Sequence, residues 1–156
     1  MKKVSGFILL FLMVFMFSGC AYTDWTFQIK TTSFDTSEIK QKDNVIISKG
    51  KVKVHDSYGV VLAVEVSENT SGTFRIIYSK DKNTLDVLQN WNKILLLEEG
   101  TVSDIDSGEI VVELSKGLNE FVISGEDSIC DYTATLDVTN KDSIVNYNGG
   151  YIMPHK

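Results

Sequence analysis

The chain has 156 residues, 43% of them hydrophobic, and 15 Lys+Arg against 21 Asp+Glu give it a net charge of −6. That length is one domain, able to hide about 70% of its unfolded surface. An acidic balance with Arg75 as the only arginine excludes the arginine-rich clamps that hold phosphate or nucleic acid, and the two histidines have no third imidazole beside them for a zinc site built on histidine alone.

Lys2 and Lys3 precede an apolar run, Val4 to Phe17, broken only by Ser5 and Gly6, and Phe17-Ser18-Gly19-Cys20 ends it with small residues before a cysteine. This is the pattern of a cleaved export signal, short of the ~20 apolar residues a membrane span needs. The ending resembles the lipobox of bacterial lipoproteins, with Phe17 where an aliphatic residue is usual. The resemblance implies that residues 1–19 are removed, that Cys20 carries a diacylglyceryl group, and that the bilayer is a partner through this anchor. It places the chain on the outer face of the cytoplasmic membrane, with 20–24 as tether; the Lys-rich, Arg-poor composition favours a Gram-positive cell. Loss of Lys2 and Lys3 leaves 13 cations against 21 acids, a net −8, which argues against nucleic acid or an anionic bilayer as a direct electrostatic partner. With Cys20 lipidated, Cys130 has no disulfide partner in the chain and reads as a small buried hydrophobe.

From residue 25 the pattern is that of strands. Trp25, Phe27 and Ile29 alternate with polar residues, whereas 31–44 is polar, with Phe34 and Ile39 as isolated apolar points, and reads as a loop or irregular edge. Val45 to Val54 is strand-like around Lys49-Gly50-Lys51, where the glycine suits a turn or bulge. Val60, Leu62, Val64 and Val66 share one face of a strand, and a loop over 67–72 leads into Phe74, Ile76 and Tyr78, predicting a hairpin. Leu85, Leu88 and Trp91 recur every three residues behind Thr84, which predicts a short helical segment over 83–92, followed by an apolar strand, Ile94 to Leu97. Ile110, Val112 and Leu114 form a strand, Ser115 to Asn119 turns the chain, and Phe121 and Ile123 return to the core. Gly117 suits a positive-φ position there, and the Asn119 amide suits the turn's backbone groups. Cys130, Tyr132, Ala134, Leu136 and Val138 make a period-two stripe. Residues 139–156 read as a polar tail or, from Tyr147 to Met153, a terminal strand.

These elements predict an all-β domain over 25–138, an antiparallel jelly-roll-like β-sandwich of about eight strands with one short helical segment. The run Ile110 to Gly125, a strand, a Gly-x-Asn turn and a strand, resembles the corresponding part of galactose-binding-like jelly rolls and carbohydrate-binding modules. The resemblance implies a binding domain without implying its ligand.

Asp104, Asp106 and Glu109 are spaced to offer carboxylate oxygens to calcium, but Gly108 stands where a third ligand is usual and no Glu closes the loop; a solvated acidic turn is the simpler reading. His55 beside Asp56 and Ser57 is not a triad, since adjacent residues point apart, and His155 lies in the tail. Glu126 with Asp127 is a carboxylate pair expected by chance in so acidic a chain, and no glycine-rich phosphate loop follows a strand. The reading is therefore no enzyme and no cofactor. The chain is expected to be a membrane-anchored binding module for a glycan or an envelope protein, with Trp91, Tyr58 and Tyr151 as candidate ligand-binding aromatics. Trp91 would alternatively plug the end of the core. A structural lipoprotein docking on another membrane protein is the second class.

Overall fold

The polar stretch after residue 30 and the lysine-rich stretch after it pair as β1 (Thr31–Lys42) and β2 (Val45–His55). They open a sandwich in the computed structural model, which describes residues 30–81, 83–98, 100–102 and 109–152. The strand expected at 25–29 lies outside them. β1 corrects the expectation of a loop. Phe34 pairs with Val52 but Thr36 with Lys51, so a bulge at Asp35 flips the side-chain parity. Phe34 and Ile39, five residues apart, both pack on the core, an odd spacing that hides the strand from a period-two reading. Gly50 is neither turn nor bulge; it lies within β2, opposite Tyr132.

β3 (Ser57–Val66), β4 (Thr70–Lys80), β5 (Leu85–Gln89), β6 (Asn92–Leu97), β7 (Gly100–Val102), β8 (Ile110–Leu114), β9 (Gly117–Gly125), β10 (Ser128–Val138) and β11 (Ile144–Asn148) follow, with a single 3₁₀ turn at Lys141–Ser143. One antiparallel sheet has the order β1-β2-β10-β4-β7, with β8 also on β4, and the other β11-β3-β9-β5-β6. Beyond the hairpins β1–β2 and β5–β6 and the step β7–β8, each successive strand changes sheet. This back-and-forth path is the jelly-roll-like sandwich the pattern predicts, with eleven strands among the described residues rather than about eight.

The path corrects two local expectations. The Ser67 to Gly72 stretch is not a hairpin, because β3 and β4 belong to opposite sheets. The helical segment over 83–92 is a strand and a turn: Leu85 and Val87 enter the core while Leu88 packs on the outer side, so the three-residue recurrence is not a helical face. The helical turn instead follows Asn140, whose side chain caps it by accepting from the Asp142 N–H at 3.1 Å.

The core between the sheets holds Leu62, Val112, Phe121, Ile123, Cys130, Tyr132, Ala134, Leu136 and Val138, as the period-two stripes predict. Phe74 of one sheet stacks on Phe121 of the other with centroids 4.4 Å apart. Val60 departs from the face expected for it. β3 pairs with β9 through a bulge between Val60 and Leu62, which turns Val60 away from Leu62 and into a second cluster with Ala63 and Val122 on the outer side of that sheet.

The tail expectation resolves as β11 plus a bridge from Tyr151 to Val60. Gly149 and Gly150 bring this segment across the open side of the sandwich. A Cβ on Gly149 would stand 2.6 Å from the Val61 carbonyl, and one on Gly150, at φ +67°, 2.2 Å from Ser37 Cβ of β1.

Candidate functional site

The outer face of the β11-β3-β9-β5-β6 sheet carries the second apolar cluster. Val60, Ala63 and Val122 are at most 1% exposed although they point away from the main core. Tyr58, Leu88 and Tyr151 cover them. Trp91 adds to this face by meeting Tyr58 edge-on, ring centroids 4.9 Å apart at 86°. The three aromatics singled out from sequence thus gather on one sheet face, brought there by β3, the β5–β6 hairpin and the terminal segment. Trp91 is 53% exposed and plugs no core.

Trp91 is held by its turn. Gln89 pairs with Asn92, leaving Asn90-Trp91 as a two-residue hairpin loop, and both have positive φ, 47° and 71°. Type I′ geometry of this kind favours Asn followed by Gly, so a tryptophan here works against its own backbone preference, at a cost of roughly 1–2 kcal/mol. The turn is fastened to β9: the Asn90 N–H donates to the Glu120 carbonyl at 3.0 Å, and the Glu120 N–H donates to Asn90 Oδ1 at 2.9 Å. Asn90 Nδ2 donates in turn to Asn119 Oδ1 at 3.2 Å. Asn119 is fully buried; it accepts from the Ser115 N–H at 3.1 Å and donates to the Ser115 and Gly117 carbonyls at 2.8 and 3.1 Å. Gly117 has φ +101°, so both expectations for the Gly-x-Asn turn hold, and that turn also braces the loop carrying Trp91.

Two shallow hollows flank Ser124 and Gly125. One of about 260 Å³ is lined by Lys30, Asp56, Ser57 and Tyr58, the other of about 270 Å³ by Asn83, Thr84, Asp86 and Glu126. At the far side Tyr151 Oη donates to Glu120 Oε1 at 2.7 Å; burial first, then this carboxylate, raises the Tyr151 hydroxyl's pKa. Tyr151 also borders a third hollow of about 140 Å³ with Glu65, Leu118, Asn146 and Asn148. The face therefore offers exposed ring surface with hydroxyl, amide and carboxylate groups on either side. That combination suits a flat, hydroxyl-rich ligand, whose apolar ring face stacks while its rim hydrogen-bonds.

Other sequence candidates stand apart. His55 Nδ1 meets Asp127 Oδ1, a surface hydrogen-bonded pair rather than a partnership with its neighbours Asp56 and Ser57. Glu109 is exposed just before β8, and Asp104 and Asp106 lie outside the described residues; no metal-binding cluster occurs among the residues described. Cys20 and His155 likewise lie outside them. Sequence reasoning missed Leu88, Asn90 and Glu120; the Asn90-Trp91 pair, an Asn-Gly-like turn position before an apolar strand, was the available signal.

No protein-family model matches the chain and no curated protein is similar to it. Among solved structures it is similar to a family 35 carbohydrate-binding module from an environmental isolate, at 14% identity and TM-score 0.42 over 81% of this chain and 97% of that one. A family 35 module from Paenibacillus barcinonensis aligns at 15% identity and TM-score 0.32 over 70% and 92%. The EutQ protein of Clostridium difficile aligns at 10% and 0.32 over 71% of this chain and 66% of that one. At these identities the likeness assigns no ligand and no site residue.

Proposed function

We propose that this chain is a glycan-binding module, not an enzyme, held at the outer face of the cytoplasmic membrane by lipid on Cys20. The observation that carries the binding reading is Trp91. A half-exposed indole occupies a turn position that favours glycine, braced by Asn90 and set edge-on against Tyr58. A costly side chain with little to bury there is accounted for by what it presents to solvent. Trp91 and Tyr58 supply the stacking surface, and Asp56, Ser57, Lys30 and Ser124 in the adjoining hollow supply donors and acceptors for sugar hydroxyls. Two rings and a shallow hollow bury little of a ligand, so single sites should bind weakly and gain from the many anchored copies on one surface.

A glycan array probed with the exported chain tests this reading. Binding to one or more polysaccharides that disappears in Trp91→Gly and in Tyr58→Ala, with folding intact, is the expected result. An array on which the wild type retains no glycan overturns it, and cross-linking of the same face to a membrane protein would then favour the docking lipoprotein. The anchor has its own test: Cys20→Ser should abolish incorporation of labelled palmitate and release the chain or leave its precursor, and an unchanged, retained variant would remove the anchor.

A further inference from the structure

The net negative charge of the chain conceals an uneven surface. On β2 the residues Ile46, Ser48, Val52 and Val54 are buried, so Lys49, Lys51 and Lys53 point outward by the two-residue period of a strand. The bulge in β1 puts its parity in step with them: Lys40 lies opposite Ile47 and Lys42 opposite Val45, outward positions of β2. Five lysines therefore share the outer face of one hairpin at the edge of the sandwich. Against them stand Glu38, opposite Lys49, exposed Asp35 at the bulge and exposed Asp43 in the turn that joins the two strands; Lys40, at 2.5 Å, and Lys49 hold the Glu38 carboxyl below its usual range. Beyond the hairpin the face carries Asp131 on β10, paired with Lys51 at 3.4 Å, and Asp137, which accepts from Asn44. The opposite sheet presents Glu65 and Glu120 beside Tyr151 and Asp86 paired with Lys93 at 2.6 Å, so the row of lysines belongs to the β1–β2 flank and the aromatic cluster to the other.

We infer that the outer face of the β1–β2 hairpin is a docking surface for the anionic headgroups of the bilayer, which turns the aromatic face outward. The bilayer is at hand only on the anchored reading of Cys20, on which this inference rests. Ten residues separate Cys20 from Thr31, the first of β1, a reach of at most about 35 Å, so among the described strands this hairpin is the one nearest the anchor along the chain. Rows of lysines on a broad, solvent-facing sheet edge match a plane of phosphates. Each lysine near such a surface contributes about fivefold to the equilibrium, and the effect fades within about a Debye length and with salt.

Amine footprinting tests it. The lipidated protein is reconstituted in vesicles of phosphatidylcholine alone or with a quarter phosphatidylglycerol, acetylated briefly and read by mass spectrometry. Lys40, Lys42, Lys49, Lys51 and Lys53 should react about tenfold more slowly on the anionic vesicles, with Lys93, Lys116 and Lys141 unchanged and the protection lost in high salt. Equal labelling on both vesicles overturns the inference. If the protein fails to enter phosphatidylcholine vesicles the anchor has failed; the same vesicles offered from solution then decide the face by the same footprint. A Lys49→Glu/Lys51→Glu/Lys53→Glu variant with unchanged melting should lose the difference. Protection of these lysines by soluble polyphosphate but not by anionic vesicles would assign the face to a soluble polyanion and overturn the bilayer as its occupant.

Discussion

Trp91 and Asn119 show how one residue can be placed by another. Trp91→Gly relieves a left-handed backbone and removes only an edge-on contact with Tyr58, so the melting temperature should hold or rise while glycan retention is lost. A large fall in melting temperature would instead make Trp91 a structural residue. Asn119→Ala should do the reverse: it removes a buried amide that holds the Ser115 N–H and the Ser115 and Gly117 carbonyls of an otherwise exposed turn, at a cost of about 1–3 kcal/mol in chemical denaturation. By freeing Asn90 it should also weaken binding, although Asn119 touches no ligand surface. A destabilisation within error would mean that water replaces the amide and that the turn stands by itself.

At the scale of elements, the terminal segment and the β10 stripe make the clearest claims. Gly150→Ala forces a side chain at φ +67° into Ser37, so amide exchange should accelerate over 144–152 and along β1, the two edges it joins, with a loss above about 1 kcal/mol. Exchange confined to the last few residues would show that the segment does not close the sandwich. Leu136→Ala empties a fully buried site between the sheets and should cost about 2–5 kcal/mol. The same elements explain which parts of the fold were legible. The β10 stripe alternates cleanly because both its neighbours hold it in one register without a bulge. β1 and β3 each contain a bulge, and one extra residue reverses the parity on which a period-two reading depends.

For the whole molecule, burial of uncharged acids makes stability fall at high pH. Cys130 is fully buried, and burial pushes its thiol from the ordinary 9.0 up to about 12; burial likewise raises Tyr78 and Tyr132 above 10.0. Each group is neutral in the folded state where the unfolded chain would ionise. This stability is therefore complete below pH 9.0 and is lost as pH rises towards about 12. Melting temperature should be level near neutrality and drop across that window, and Cys130 should resist thiol reagents until the domain unfolds. Labelling in the native state would contradict its burial.

The sequence alone determined the β class, the stripes of the core, the Gly117-x-Asn119 turn and the identity of the aromatics, because alternation and turn chemistry are local properties. It could not decide that β3 and β4 part company rather than pair, since strand partners are chosen by long-range packing that no nearby residue encodes. Nor could it place Tyr58, Trp91 and Tyr151 on one face: they come from three separated segments, and Val60 turns outward beneath them only because of a bulge. The lysines are the same case. A net charge sums over the chain, whereas the sheet sorts charge by parity and strand order, and only that sorting gathers five lysines on one hairpin face.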